Sequence, residues 1–201
     1  MIVIVDYGMG NLRSVQKGFE RIGSKALVSR DTKDINSATK LVLPGVGTFP
    51  ECMKNLANFG LIESILDFLK SGKPFLGICL GLQLLFDESE EFGLNKGLEV
   101  IPGKVKAFRR DMGLKIPHMG WNQVIFKKDI PIFDGIDNES FFYFVHSYYV
   151  EPEQQSDTAA ETSYGITFTS AIARGNIFAL QFHPEKSQKN GLKILANFSR
   201  L

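Results

Sequence analysis

Cys79 lies between two glycines in the segment Gly77-Ile78-Cys79-Leu80-Gly81, which follows a short apolar run and precedes an apolar helical pattern. A cysteine at such a strand-to-helix junction is the thiol counterpart of a nucleophile elbow, because glycines allow the sharp turn that exposes the side chain. The unpaired N–H groups of a helix N-terminus favour thiolate over thiol, and the thiolate is the nucleophile. A small buried cysteine explains the same segment equally well, so this hypothesis needs a base and an oxyanion hole elsewhere.

His183 is the candidate base among the 3 histidines of the chain, since it ends an apolar strand and precedes a proline and a glutamate. Glu185, two positions further on, points to the same side of an extended backbone. It would accept a hydrogen bond from the imidazole and hold one tautomer. His118 and His146 are interpreted as structural or substrate-adjacent residues. With His183 and Glu185 present, the sequence favours a nucleophilic Cys79.

Backbone N–H groups at two places are candidates for the oxyanion hole. One is the N–H of Leu80, directly after the nucleophile. The other is the glycine-rich turn Pro44-Gly45-Val46-Gly47 at the end of a strand, where Val46 or Gly47 would donate. The second cysteine, Cys52, lies in a helical segment without flanking glycines and is interpreted as structural.

Size and composition are typical of one domain that spans residues 1–201. Hydrophobic residues make up 44% of the 201 residues, enough for a sizeable core without a disulfide or metal. A net charge of +1 gives no argument for nucleic acid or membrane binding. The 2 cysteines form no CxxC pair, and the Gly8-Met9-Gly10 turn lacks the third glycine of a dinucleotide loop. We therefore expect no metal and no cofactor.

The absence of a leader or membrane-length apolar run predicts a cytoplasmic location.

The N-terminal half alternates strand-like and helix-like patterns, which predicts a mostly parallel α/β sheet with helices on both faces. Strands are predicted at 2–5, 26–28, 40–43 and 75–78, and helices at 12–22, 49–58 and 61–69. The acidic run 87–91 is interpreted as a helix end. Beyond it, strands at 103–108, 122–126, 141–145, 167–173 and 177–182 suit antiparallel additions to the sheet. A last helix is predicted at 189–198, and 154–159 is the most loop-like stretch.

The elbow, the His-Pro-Glu motif and the Pro-Gly-Val-Gly turn together resemble the class I, or triad, glutamine amidotransferases. Four segments are similar to the glutaminase subunits that serve histidine biosynthesis within that family: 6–12, 117–122, 143–148 and 183–187. The resemblance covers essentially the whole chain and implies a flavodoxin-like fold. Pro-His-Met-Gly-Trp-Asn at 117–122 is its most specific part, because the elbow alone fits many amidotransferases.

The resemblance implies that Cys79, His183 and Glu185 hydrolyse L-glutamine to glutamate and ammonia through a γ-glutamyl thioester. Gln83 matches the family position that contacts the glutamine, and Glu91 matches the one that grips its α-amino group. Two further positions match backbone contacts to the α-carboxylate: Ser147 and Tyr148.

The resemblance also implies a heterodimer with a (β/α)₈-barrel cyclase subunit, to which the ammonia passes directly. Channelling has a physical reason, because free ammonia becomes ammonium at neutral pH and ceases to be a nucleophile. The positions that match the partner surface are Asn11, Met119, Trp121 and Lys186. One alternative stays open, a paralogous glutaminase subunit that feeds an amidotransferase of surface sugars. A lone cysteine hydrolase and a binding module with a dead site are less favoured.

Overall fold

The strands join into one branched sheet, which helices cover on both faces. The computed structural model describes residues 1–201 apart from the side chain of Arg110. The strands are β1 (Ile2–Val5), β2 (Ala26–Ser29), β3 (Lys40–Gly45), β4 (Phe75–Cys79), β5 (Phe86–Ser89), β6 (Asn95–Lys96), β7 (Ile101–Ala107), β8 (His118–Phe126), β9 (Ser140–His146), β10 (Tyr148–Pro152), β11 (Thr158–Tyr164), β12 (Ile166–Arg174) and β13 (Ile177–Leu180). The α-helices are α1 (Leu12–Arg21), α2 (Thr32–Ser37), α3 (Phe49–Asn58), α4 (Ile62–Lys70), α5 (Leu80–Gln83) and α6 (Gln188–Arg200).

Five neighbouring strands run parallel in the order β2-β1-β3-β4-β13. Their register places Gly45 of β3 opposite Cys79 of β4, and Leu180 of β13 opposite Ile78. Parallel strands end at the same edge of a sheet, and such an edge is where open α/β sheets bind ligands. Three chain segments therefore meet there: the turn after β3, the elbow after β4 and the segment after β13.

Successive side chains of the parallel strands enter two separate cores, one on each face of the sheet. Val3 and Leu41 pack in one core with residues of α3 and α4, and Ile4 and Val42 pack in the other with residues of α1 and α6. This two-sided burial explains the continuous apolar runs in these strands. The predicted α/β class with helices on both faces is confirmed. Within the described residues, no helix is long and apolar enough to cross a bilayer.

The predicted antiparallel strands of the C-terminal half are also present, but several boundaries were wrong. The acidic run was interpreted as a helix end, whereas Phe86–Ser89 forms β5 and pairs with β7. Glu88 there lies 2.7 Å from Lys104 Nζ of that partner strand, a contact that local sequence cannot reveal. Part of the stretch interpreted as a loop begins β11, where Ala159 and Ala160 are fully buried. Helix α2 and strands β6 and β10 were not predicted at all.

Candidate active site

Cys79 ends β4 in a strained backbone conformation. Its φ is 55° and its ψ is −108°. Such a conformation costs a non-glycine residue on the order of 1–3 kcal/mol and is typical of functional sites. The turn from β4 into α5 is thus made by Cys79 itself, whereas the sequence interpretation assigned it to the flanking glycines, neither of which has a positive φ.

The two glycines are needed for close packing. A Cβ on Gly81 would lie 1.8 Å from the carbonyl oxygen of Leu43 in β3. A Cβ on Gly77 would lie 2.7 Å from the carbonyl oxygen of Gly81. Only glycine therefore lets α5 begin directly against the neighbouring strands, which holds the thiol at the sheet edge.

Helix α5 is a single turn, shorter than the sequence pattern suggested. It spans Leu80–Gln83, and the chain then enters β5 at Phe86. The helix macrodipole is a sum over aligned peptide units, so one turn contributes much less than a long helix. Local N–H groups and nearby charges must supply most of the stabilisation of a thiolate at Cys79.

His183 and Glu185 form a buried pair beside this turn. Nδ1 of His183 lies 2.8 Å from Oε1 of Glu185, and the two side chains are 2% and 1% exposed. A carboxylate only accepts hydrogen bonds, so the imidazole Nδ1 carries the proton. Nε2 is therefore the nitrogen left for chemistry, and it is buried without a hydrogen-bond partner among the described atoms.

The electrostatics of His183 are those of an imidazolium. Burial lowers its pKa, but the opposing charge of Cys79 and the hydrogen-bonded Glu185 carboxylate outweigh burial and raise it to about 10. Cys79 and His183 line the same cavity. The arrangement places an imidazolium beside the Cys79 sulfur, with Glu185 as the group that orients the ring.

The Pro44–Gly47 turn borders the same cavity as Cys79, and a buried tyrosine hydroxyl stabilises its backbone. Tyr7, which is fully buried, donates its hydroxyl to the Pro44 carbonyl at 2.8 Å. Val46 and Gly47 face the cavity together with Leu80. The structure thus places the three residues predicted to form the oxyanion hole around the cavity that contains the thiol, on two adjacent strand ends.

Cys52 occupies a different environment from Cys79. It is fully buried on α3, its Sγ lies 3.6 Å from the Tyr7 hydroxyl, and it donates weakly to the Val46 carbonyl at 3.8 Å. Burial raises its pKa to about 12. A thiol that stays protonated inside the core is a poor nucleophile, which suits the structural role that the sequence indicated.

The cavity above Cys79 has a volume of about 270 Å³ and contains the predicted substrate residues. It is lined by Val46, Gly47, Cys79, Leu80, Gln83, Glu91, Pro117, Val145, His146, Ser147, Tyr148 and His183. Thiol, imidazole, backbone donors and a carboxylate thus converge on one space. Among the described residues, no group of three or more histidine, cysteine, aspartate or glutamate side chains is arranged so that it could hold a metal ion.

Glu91 is held at the cavity wall by the first turn of α3. Its Oε2 accepts a hydrogen bond of 2.6 Å from the N–H of Phe49. Burial raises the pKa of the Glu91 carboxyl above its usual value, although this N–H bond partly opposes the rise. The second carboxylate oxygen is left to accept from a cation in the cavity.

Gln181 is a site residue that the sequence analysis missed. It is fully buried, and its Nε2 lies 3.7 Å from Sγ of Cys79. The signal was available, because residue 181 lies two positions before His183 on the same extended segment and so points the same way. Glu185 was identified by the same two-residue spacing on the C-terminal side of His183.

His118 and His146 form a buried pair next to the cavity, and His146 is one of the residues that line it. Nδ1 of His118 and Nε2 of His146 are 2.9 Å apart, and burial lowers their pKa values to about 4 and about 3. Nδ1 of His146 donates to the Tyr148 carbonyl at 2.8 Å. Both histidines are therefore neutral at physiological pH and do not act as the base for Cys79.

A comparison with protein families agrees with this geometry. The model described as "Glutamine amidotransferase class-I" matches residues 3–200. This chain belongs to the class I glutamine amidotransferase family.

Curated relatives extend the similarity to whole proteins. The "Imidazole glycerol phosphate synthase subunit HisH" of Syntrophotalea carbinolica is 59% identical, over 98% of this chain and 98% of its own length. The protein of the same name in Geobacter metallireducens is 53% identical over 98% and 97%. A solved "glutamine amidotransferase" has a TM-score of 0.77 over 100% of both chains, and PurLQS from Thermotoga maritima has 0.74 over 98% and 96%. At 17% and 16% identity these two structures show the fold alone.

The residues that the family pattern assigns to a partner surface are exposed in this amidotransferase chain. Met119 and Trp121 on β8 are 62% and 46% exposed, and Lys186 places its Nζ 5.7 Å from the ring centre of Tyr143. The Trp121 ring centre lies 6.2 Å from the same tyrosine ring. Asn11 is also exposed, and its side chain caps α1 by accepting from the N–H of Ser14.

Proposed function

We propose that this chain is the glutaminase subunit of imidazole glycerol phosphate synthase, which releases ammonia from L-glutamine for a cyclase subunit in histidine biosynthesis. The observation that carries the proposal is the meeting of Cys79, His183 and Glu185 at one cavity, at the ends of adjacent parallel strands. The full-length similarity to subunits of that name supports the choice of pathway.

The reaction begins when the Cys79 thiolate attacks the side-chain amide carbon of glutamine. Charge develops on the amide oxygen, where the N–H of Leu80 and that of Val46 or Gly47 would stabilise it. His183 delivers its Nε2 proton to the leaving nitrogen, so ammonia departs as the γ-glutamyl thioester forms. Water then attacks the thioester with His183 as the base, and glutamate leaves with the thiol restored.

Charge complementarity in the cavity suits the amino-acid end of glutamine. The carboxylate oxygen of Glu91 that does not bond to the Phe49 N–H would accept from the α-ammonium group. Ser147 and Tyr148, on the opposite wall, would bind the α-carboxylate through the backbone. Gln83 uses its Nε2 in bonds to the Tyr148 carbonyl and to Gln181, so its own carbonyl oxygen is the atom that faces a substrate amide.

The acceptor of the ammonia would be a (β/α)₈-barrel cyclase that docks on the exposed face of Asn11, Met119, Trp121 and Lys186. Its products would be imidazole glycerol phosphate and an aminoimidazole carboxamide ribonucleotide. An exposed tryptophan and methionine are typical of a protein interface, because such large side chains bury much area there. We place this complex in the cytoplasm, where these metabolites are made.

The decisive experiment is affinity purification from the native cell, followed by assay of the complex with glutamine or with ammonium salts. Cys79→Ala should abolish synthesis from glutamine and leave synthesis from ammonium intact, because only the first needs the thiol. Cys52→Ser, which alters the other thiol and keeps a donor near Val46, should retain both activities. Recovery of a sugar-modifying synthase instead of a cyclase would refute the pathway, and loss of ammonium-dependent synthesis in Cys79→Ala would refute the role of the thiol.

A further inference from the structure

Gln181 presents a polar group directly to the nucleophile. Its amide nitrogen lies 3.7 Å from Cys79 Sγ, and neither side chain is more than 6% exposed. An N–H donor that reaches a thiolate makes a charge-assisted hydrogen bond, which is stronger than one between neutral groups. Because the one-turn helix at Cys79 has only a small dipole, a hydrogen bond from Gln181 can contribute to the stabilisation of the thiolate.

The orientation of the Gln181 amide follows from its neighbours. The Tyr148 carbonyl can only accept, so Gln83 must turn its NH₂ group towards it, at 3.1 Å. The same NH₂ group lies 3.0 Å from the amide oxygen of Gln181. A flipped Gln181 would set two NH₂ groups against each other, so its oxygen faces Gln83 and its nitrogen faces Cys79.

The hydrogen bonds that fix this orientation continue to the outer strands. Nδ1 of His146 also donates to the Tyr148 carbonyl, His118 donates to His146, and Nε2 of His118 lies 3.1 Å from the side-chain nitrogen of Asn122 on β8. The Tyr148 carbonyl can only accept, so it fixes which nitrogen of each neutral histidine carries the proton. The direction of every hydrogen bond in this series then follows while both histidines are neutral. The carbonyl of Tyr148 is thereby held from two sides.

We propose that Gln181 is a catalytic residue that stabilises the Cys79 thiolate by donating a side-chain N–H to it, and that Gln83 aims this amide. The inference rests on the glutaminase function proposed for the same site. Its role is distinct from that of His183, which supplies charge and a transferable proton, because an amide donates without ever giving up its proton.

The test uses Gln181→Met, which keeps the length of an unbranched side chain and removes the donor. The rate of alkylation of Cys79 by iodoacetamide is followed against pH by mass spectrometry in the full chain, with Ser170→Ala as control. Ser170 is a buried residue of the adjacent strand β12 whose hydroxyl makes no hydrogen bond among the described atoms. The titratable groups around Cys79 are the same in all these proteins: His183, Tyr7 and Cys52 interact with it, Glu91 and His146 line the same cavity, and Glu185 pairs with His183.

Gln181→Met should move the midpoint of the alkylation profile upwards by about one pH unit, as expected for loss of a charge-assisted hydrogen bond, whereas Ser170→Ala should leave it unchanged. An unchanged midpoint in a folded Gln181→Met protein would refute the role of Gln181. A second measurement needs no variant at this position. In the NMR spectrum of the wild type, the chemical shift of one glutamine side-chain amide should change with pH as the thiol titrates, and in Cys79→Ala this change should disappear. If no amide follows it, the inference is wrong.

These outcomes are separate from those that test the proposed function. A wild-type complex that makes no ammonia from glutamine would overturn the glutaminase assignment, whatever the alkylation profile shows. A wild-type complex that makes ammonia, together with an unshifted profile in Gln181→Met, would overturn only the thiolate contact.

Discussion

Gly81 offers a test of how the elbow is built. In Gly81→Ala the new Cβ would lie 1.8 Å from the carbonyl oxygen of Leu43, and ordinary contact begins at 3.4 Å. About 1.6 Å of additional separation (3.4 − 1.8) must therefore open between α5 and β3. The obstacle is backbone in a hydrogen-bonded strand, so no side-chain rotation relieves it. Overpacking of this severity should cost about 3 kcal/mol or more.

The control is Gly72→Ala, where no atom lies within 4 Å of the new Cβ and only the φ of 76° opposes it. A left-handed alanine costs roughly 1–2 kcal/mol. With a urea m-value of about 2 kcal/mol per M, the unfolding midpoint should fall by about 1.5 M in Gly81→Ala and by about 0.5–1 M in the control.

Urea unfolding followed by circular dichroism measures both midpoints. Gly81→Ala should also slow alkylation of Cys79, since the nucleophile moves with α5, and Gly72→Ala should not. A midpoint for Gly81→Ala at or above that of Gly72→Ala would refute the packing argument.

Three further predictions concern charges at the site. Glu185→Gln should lower kcat of the complex for glutamine by roughly 10³–10⁴-fold with little change in KM, as when the orienting acid of a triad is replaced; steady-state kinetics with an unchanged kcat would contradict it. Glu91→Gln should raise KM for glutamine tenfold or more while kcat changes little, because a carboxylate is lost from the ammonium end of the cavity; an unchanged KM would exclude that contact. The raised pKa of His183 predicts that stability falls with pH: its contribution is fully present below the unfolded pKa of about 6.5 and is lost as pH rises through about 10. Urea midpoints between pH 6 and pH 10 should therefore fall more steeply in wild type than in Cys79→Ala, and equal slopes would argue against the charge pair.

Local patterns were sufficient to predict the parallel half of the sheet. Its strands are short apolar runs that end in glycines, prolines or acids, and its helices show apolar residues at helical spacing. Most of the missed elements are strands whose stability comes from distant partners, whereas the missed helix α2 begins at a local cap, Asp31. Strand β5 carries acidic residues that look like a helix end until β7 lies beside it with Lys104.

Chemistry at the site divides in the same way. The residue types at 79, 183 and 185 and their immediate neighbours identified a thiol, a base and an orienting acid, because each lies in a local motif whose chemistry is readable along the chain. The roles of the flanking glycines and of Gln181 could not be predicted so readily. They depend on contacts with Leu43, Gln83 and Cys79, which lie far away in sequence.

The amino-acid sequence by itself determined the family, the alternation of strands and helices, and the three side chains with reactive chemistry, since all of these depend on residue type and short-range spacing. The tertiary structure decided how they meet. Parallel pairing of β3, β4 and β13 brings three strand ends to one edge, and close backbone contact leaves room there only for glycine. The fold also brings together polar groups that would be solvated separately in an open chain: His183 pairs with Glu185, and Gln83 and Gln181 form hydrogen bonds beside Cys79. Each of these interactions is stronger in the protein than in water because the local dielectric is lower.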